Sequence, residues 1–219
     1  MGVLEPPAAA SLADRAYHAI RDMIVSLELR PGAVIDERRL MQQLGIGRTP
    51  IREALRTLAQ EGLVEVYPRR GMFVTSVEIH DLASLAEVRS VLESSAARLA
   101  AERATDEDRG SVAALLDELE QHEALGQREL MALDERIHRQ VYRAAHNQFL
   151  ESSLERYYVL ALRIWYLALD QARELEQAVL GHREILEAIR DGDADRAEGA
   201  MRRHVVEFEE TMRRVLVGV

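Results

Sequence analysis

Three of the seven histidines share one pattern, because each stands at helical spacing from apolar residues. The pattern predicts that His138, His182 and His204 point into the interior of a helical domain, each from a different helix. Asp134 precedes His138 by four residues, so these two side chains project from one helix face. The four side chains could therefore meet as a set of three ring nitrogens and one carboxylate oxygen.

Such a donor set suits a divalent transition metal such as Zn²⁺, Ni²⁺, Mn²⁺ or Fe²⁺, and a five- or six-coordinate ion would keep one or two positions free. A histidine inside a helical domain is also a common core residue whose ring is satisfied by hydrogen bonds. Spacing alone leaves both interpretations open. The chain has no cysteine, so any metal site must use histidines and carboxylates.

A second chemical pattern is formed by arginines between residues 38 and 71. Arg48 and Arg52 flank the start of a predicted helix, where their guanidinium groups could reach guanine edges or phosphates. Arg38 lies in the preceding helix, and Arg70 stands at the tip of a predicted hairpin beside Gly71. This pattern indicates DNA binding, and the alternative is ordinary solvated surface charge.

The elements that would position these arginines are three helices and a hairpin. Apolar spacing predicts a helix from Leu12 to the Pro31-Gly32 stop, and a short helix within residues 36–44. After a glycine turn, the next helix is predicted to begin with Thr49 as N-cap and Pro50 as its first residue. Two short strands follow, at 63–67 and 72–77, which completes the pattern of a winged helix-turn-helix.

Strand signals end near residue 77, and the remaining chain is predicted to be an all-α domain, arranged as a helical bundle. Helices are expected near residues 79–104, 106–124, 127–145, 148–171, 174–190 and 193–216. The fold class is therefore mainly α. The predicted domains are a flexible tail at 1–10, a winged helix-turn-helix at 11–76 and a helical domain at 77–219.

The net charge of −10 argues against a nucleic-acid binder, which is usually basic. The sum is misleading, because residues 1–76 carry 10 arginines against 9 acids while residues 77–219 carry 18 against 29. The acidic excess thus belongs to the helical domain, whose surface would repel DNA. No apolar run approaches a membrane span of roughly 20 residues, and the start of the chain does not resemble a signal peptide, so a cytoplasmic protein is expected.

Residues 31–74 carry the run ERRLMQQLGIGRTPIREALRTLAQEGLV and a basic wing that ends in glycine. This stretch resembles the winged-helix reader domain of the GntR family of bacterial transcription regulators. The resemblance implies operator binding by a homodimer. It also implies the residues that contact DNA: Arg38, Arg48, Thr49, Arg52, Arg70 and Gly71.

The helical domain resembles the FCD effector domain of the FadR-like branch of that family. The motifs are EVRSVLESSAARLAAERA on the first helix, DERIHRQVYRAAHN at 134–147, HREILEAIRDGD at 182–193 and MRRH at 201–204. Metal-binding members coordinate an ion through one Asp and three His at these positions, which implies Asp134, His138, His182 and His204. The usual glycine before Asn147 is His146, interpreted as a local loop change.

Arg89, on the first FCD-like helix, and Arg163, on an aromatic-rich helix, are candidates to bind the carboxylate of a small organic acid. The alternative for each is a surface or salt-bridged arginine. The favoured function is a ligand-responsive regulator, not an enzyme. The alternatives are a regulator with a purely structural metal and a non-haem metal-dependent enzyme, for which no separate base or nucleophile stands out.

Overall fold

The computed structural model describes residues 11–76, 81–167 and 172–217, so the predicted tail at 1–10 lies outside the described residues. The first helix, α1 (Leu12–Val25), begins at a capping box. The Ser11 hydroxyl accepts a hydrogen bond from the Asp14 amide, and the Asp14 carboxylate accepts one from the Ser11 amide. These bonds satisfy amides that have no acceptor within the helix.

The second and third helices are α2 (Glu37–Leu44) and α3 (Arg48–Gln60). Asp36 caps α2, since its carboxylate accepts from the amides of Arg38 and Arg39 at 2.9 and 3.1 Å. The turn between the helices passes through Gly45, whose φ of 65° is in the left-handed region that favours glycine.

The predicted start of α3 is wrong by two residues. The N-cap is Gly47, in extended conformation and without a side-chain hydrogen bond, and the helix begins at Arg48. Pro50 is thus the third helical residue. It is tolerated there because the first-turn amides of a helix have no intrahelical acceptor. The earlier start places Arg48 and Thr49 within the first turn of α3.

A two-stranded antiparallel hairpin follows, made of β1 (Val64–Tyr67) and β2 (Gly71–Val74). Its register runs from the Val64–Val74 pair to the Tyr67–Gly71 pair at the tip. The buried faces of the three helices form an apolar core with the base of the hairpin: Ile20, Ile24, Leu40, Ile51, Leu55, Leu58 and Leu63. This arrangement confirms the winged helix-turn-helix.

The rest of the described chain is helical, which confirms the all-α second domain. Its helices are α4 (Asp81–Arg103), α5 (Asp106–Glu120), α6 (Gln127–Ala144), α7 (Gln148–Leu167), α8 (Ala172–Leu180), α9 (His182–Asp191) and α10 (Ala194–Val217). Among the described residues, no helix has both the length and the apolar character that crossing a membrane requires.

The helix predicted at 174–190 is two helices, α8 and α9, which meet at Gly181. A Cβ atom at this position would lie 3.2 Å from the carbonyl oxygen of Ala178 and 3.4 Å from Nδ1 of His204. Glycine therefore allows the backbone to approach the His204 ring on α10 closely. Helical periodicity alone does not reveal this break, because Gly181 keeps a right-handed helical conformation.

Contacts divide the described residues into two compact units. One contains residues 11–76 together with 162–167, the end of α7. The other contains residues 81–161 and 172–217.

Candidate metal centre and DNA-reading surface

Four side chains from three helices meet inside the helical unit: Asp134 and His138 from α6, His182 from α9 and His204 from α10. Their potential ligand atoms all lie within 4.8 Å of one another. Each residue is at most 5% exposed. The structure therefore brings together all four residues that the sequence indicated as a metal set.

The two closest imidazole rings face each other through their Nε2 atoms, which are 3.0 Å apart between His138 and His182. Nδ1 of His182 lies 3.0 Å from the carbonyl oxygen of Val179, which can only accept a hydrogen bond. Nδ1 of His138 lies 3.0 Å from Oε2 of Glu93. The hydroxyl of Tyr142 lies 3.2 Å from the same Nδ1. With the proton on Nδ1 of both rings, the two Nε2 atoms would turn lone pairs toward each other.

The charge state of the histidines also fits a metal. Burial lowers the pKa of His182 to about 4. Burial, together with His182 and His138, lowers the pKa of His204 well below its ordinary value. These rings are neutral near pH 7, and metals bind neutral imidazole. A divalent cation between two such nitrogens would be bound by both rings.

The carboxylate of Asp134 has one oxygen available toward the histidines. Tyr158 donates a hydrogen bond to Oδ2 at 2.7 Å. Among the described residues, Oδ1 is buried without a hydrogen-bond partner, and it lies 3.7 Å from Nε2 of His182. An orphaned buried carboxylate oxygen beside neutral imidazole nitrogens fits a shared divalent ion.

Behind His138 lies a buried ion pair on α4. Arg89 donates from Nε to Oε1 of Glu93 at 2.6 Å, and both side chains are almost fully buried. Burial alone would raise the pKa of Glu93, but Arg89 and His138 lower it to about 2. Glu93 therefore remains a carboxylate that can orient the His138 ring, as carboxylates do behind metal-binding histidines.

Glu93 was not identified from the sequence. The available signal was its position four residues after Arg89, which places both on one face of α4. Arg89 itself lies over the ring of Phe208, with 5.3 Å from Cζ to the centroid, and over that of Tyr158 at 6.0 Å. The structure thus connects Arg89 to the four-residue cluster through Glu93.

Arg163 is not brought to this cluster. Its Nη1 and Nη2 donate to the hydroxyl and carbonyl oxygens of Thr75, at 2.8 and 2.6 Å. Its Nε is buried without a hydrogen-bond partner among the described residues, and burial lowers the pKa of the guanidinium to about 10. Two of its three nitrogens are therefore already bound within its own unit.

His146 explains the departure from the motif noted in the sequence. Its φ of 47° lies in the left-handed region, where glycine is the usual residue. Nε2 of its ring lies 2.9 Å from the carboxylate of Asp108, and the side chain is about half exposed. His146 therefore occupies a glycine conformation outside the metal cluster.

The residues indicated for DNA binding are all exposed on the winged helix-turn-helix. Arg48, Thr49 and Arg52 lie on the first turns of α3, and Arg38 lies on α2. Arg70 and Gly71 lie at the hairpin tip. This arrangement presents guanidinium groups from a helix start and from a wing, the two elements that contact DNA in such folds.

If Arg52 makes a bidentate contact with guanine, we expect Arg52→Ala to weaken binding to a preferred DNA site by about 1–3 kcal/mol. Base preference at the contacted position should relax as well. Selection from random duplexes followed by footprinting measures both effects. An unchanged footprint and preference would remove Arg52 from the reading surface.

A winged helix-turn-helix with exposed arginines at these positions, joined to an all-helical domain, defines a DNA-binding regulator of transcription. The first domain matches the family described as "Bacterial regulatory proteins, gntR family" over residues 12–74, and the second matches the FCD domain over residues 84–207. The chain belongs to the GntR family of bacterial transcription regulators and carries the FCD effector domain.

Relatives in this family span most of the chain. A transcriptional regulator from Streptomyces ambofaciens is 34% identical over 86% of this chain and 80% of its own length. The transcriptional repressor RspR of Escherichia coli is 26% identical over 91% and 88%. The solved structure of E. coli McbR/YncC has a TM-score of 0.81 at 21% identity, covering 94% of this chain and 98% of that one, and so shows the shared fold.

Proposed function

We propose that this regulator is a homodimer that senses a small organic acid at a metal centre and changes its affinity for operator DNA accordingly. Asp134, His138, His182 and His204 would hold a divalent transition metal. The metal would supply positive charge and open coordination positions for a carboxylate. Arg38, Arg48, Thr49, Arg52, Arg70 and Gly71 would contact the operator.

The main support for a metal at this site is that the Nε2 atoms of His138 and His182 face each other at 3.0 Å. Both Nδ1 atoms lie near an oxygen acceptor, and with protons there the two Nε2 lone pairs would lie close to the orphaned Oδ1 of Asp134. A shared cation would turn this repulsive arrangement into an attractive one.

The position of Arg89 supports a small organic acid as the effector. Its guanidinium is buried, and Glu93 lies between it and His138. Arg89 donates a hydrogen bond to Glu93. A carboxylate that enters beside the metal would meet two positive groups in a low-dielectric interior, where such contacts are strong. The effector would control transcription by binding unequally to two arrangements of the protein, one of which reads the operator better.

Two relatives support repression as the outcome. RspR is named a transcriptional repressor. A protein of Paenarthrobacter nicotinovorans, 34% identical over 86% of this chain, is named a probable D-xylose utilization operon transcriptional repressor.

A purely structural metal is the second candidate, and the burial of all four ligand residues favours it. In that case the ion would join α6, α9 and α10 and bind no effector. The two candidates differ in whether an acid changes DNA binding once the metal is in place.

The test begins with a DNA site selected from random duplexes by the purified full-length protein. The protein is stripped with a chelator, reloaded with Zn²⁺ or Ni²⁺, and titrated with lactate, citrate or acetate, with lactamide and acetamide as neutral controls. A shift in DNA affinity that needs both metal and a carboxylate supports sensing. Metal-dependent folding without any effect of the acids supports the structural metal.

A further inference from the structure

One acidic side chain lies between the two arginines at the start of α3. Glu37 is the first residue of α2, and about 29% of its side chain is exposed. Its Oε2 lies 3.5 Å from Nε of Arg48, and its Oε1 lies 3.8 Å from Nε of Arg52. A single carboxylate thus faces both guanidinium groups of the proposed reading helix.

This position has an electrostatic consequence. Arg48 and Arg52 are four residues apart on one helix face, where like charges repel each other. The Glu37 carboxylate between them offsets that repulsion. The two arginine side chains can therefore be held side by side before any DNA is present.

The contact also restricts how each arginine can recognise a base. Arginine reads guanine with two parallel N–H donors, which can come from the Nε edge or from the two terminal nitrogens. In both arginines the nitrogen nearest Glu37 is Nε. The terminal nitrogens then remain for end-on contact with a base edge.

We propose that Glu37 is a positioning residue for DNA reading, which orients Arg48 and Arg52 toward base edges and reduces their attraction to phosphates in general. The proposal rests on the proposed docking of α3 in the major groove. A carboxylate beside two arginines weakens sequence-independent binding, which depends on positive charge. Glu37 thus lowers the total affinity of the protein for DNA and raises its preference for one sequence over another.

The test compares three variants of the full-length protein: Glu37→Gln, Glu37→Asp and the control Glu28→Gln. Glu28→Gln is the matched control, because this substitution removes the same charge from the same domain. The carboxylate of Glu28 accepts from Gln43 at 2.8 Å, a bond that glutamine can keep. Each variant is titrated with the duplex selected by the wild type and with a random-sequence duplex, at several salt concentrations.

Glu37→Gln is expected to lower the ratio of selected-site to random-duplex affinity about tenfold, a loss equivalent to part of one good base contact. Binding to the random duplex should tighten. Glu37→Asp keeps the charge but withdraws the carboxylate, so it should relax base preference with little change in random-duplex binding. It also provides the readout if the glutamine variant fails to fold. Glu28→Gln should keep the wild-type ratio.

An unchanged ratio in a folded Glu37 variant overturns the proposal, as does an equal fall of the ratio in Glu28→Gln. Arg52→Ala separates this result from failure of the reading-helix assignment. If Arg52→Ala relaxes base preference and the Glu37 variants do not, the positioning role alone is wrong. If Arg52→Ala has no effect on preference, the docking of α3 is wrong.

Discussion

Replacing His182 by alanine is expected to lower the metal affinity of the protein by at least about 100-fold, so that most of the ion is lost on dialysis. The substitution removes one of the four proposed ligands, and even changes to the partners behind a ligand cost about 10–100-fold. It also removes the ring whose Nε2 faces that of His138 at 3.0 Å. Elemental analysis of the dialysed protein measures the loss.

The matched control for this prediction is His146→Ala. That histidine is about half exposed and contacts Asp108 outside the cluster, so its variant should keep the wild-type metal content. A second readout is thermal unfolding, because a ligand that binds only the folded state raises its stability by mass action. Added Zn²⁺ should stabilise the wild type and His146→Ala more than His182→Ala. Full stoichiometric metal in His182→Ala would exclude this residue as a ligand.

Arg89→Met is expected to lower the free energy of unfolding by about 3–5 kcal/mol, because it removes the arginine that neutralises the buried carboxylate of Glu93. Glu93 is fully buried, and Arg89 is the main charge that lowers its pKa. Methionine is apolar and flexible enough to occupy the space beside Phe208. Urea unfolding of the chelator-treated protein measures the loss without a contribution from metal binding.

Two further variants test the reason for this loss. Arg202→Met removes a cation that pairs with Glu198 on the surface of α10, and this pair should contribute less than about 1 kcal/mol. Combining Arg89→Met with Glu93→Leu should recover part of the lost stability, since the unpaired charge is then removed too. A loss of stability below about 1 kcal/mol for Arg89→Met alone would contradict the prediction. It would show that the Arg89–Glu93 pair contributes no more than a surface ion pair.

The sequence determined the fold of this protein well, because local signals agree with the tertiary structure along most of the chain. Apolar spacing predicted the helices, and the basic hairpin with Gly71 at its tip predicted the wing. Where local signals were ambiguous, boundaries shifted. Both glycine and threonine are common N-cap residues, and the N-cap of α3 is Gly47 rather than Thr49. Gly181 breaks a continuous apolar pattern, which no periodicity reveals.

The sequence also indicated the four residues of the candidate metal centre, because burial of a histidine follows from the apolar residues around it. The sequence did not indicate the residues that contact these four from behind. Glu93 reaches His138 from a helix 45 positions away in the chain, and such a pairing depends on how α4 packs against α6. Arg163 was a candidate for the same role as Arg89, yet its terminal nitrogens bind Thr75.

Residue type and helical spacing thus determined which side chains are buried or exposed, since each depends on a helix face that the sequence itself encodes. The tertiary structure decided which buried charges meet, because Coulomb and hydrogen-bond energies depend on separations of a few ångströms between distant segments. The facing nitrogens of His138 and His182 and the placement of Glu37 between Arg48 and Arg52 are of this second kind.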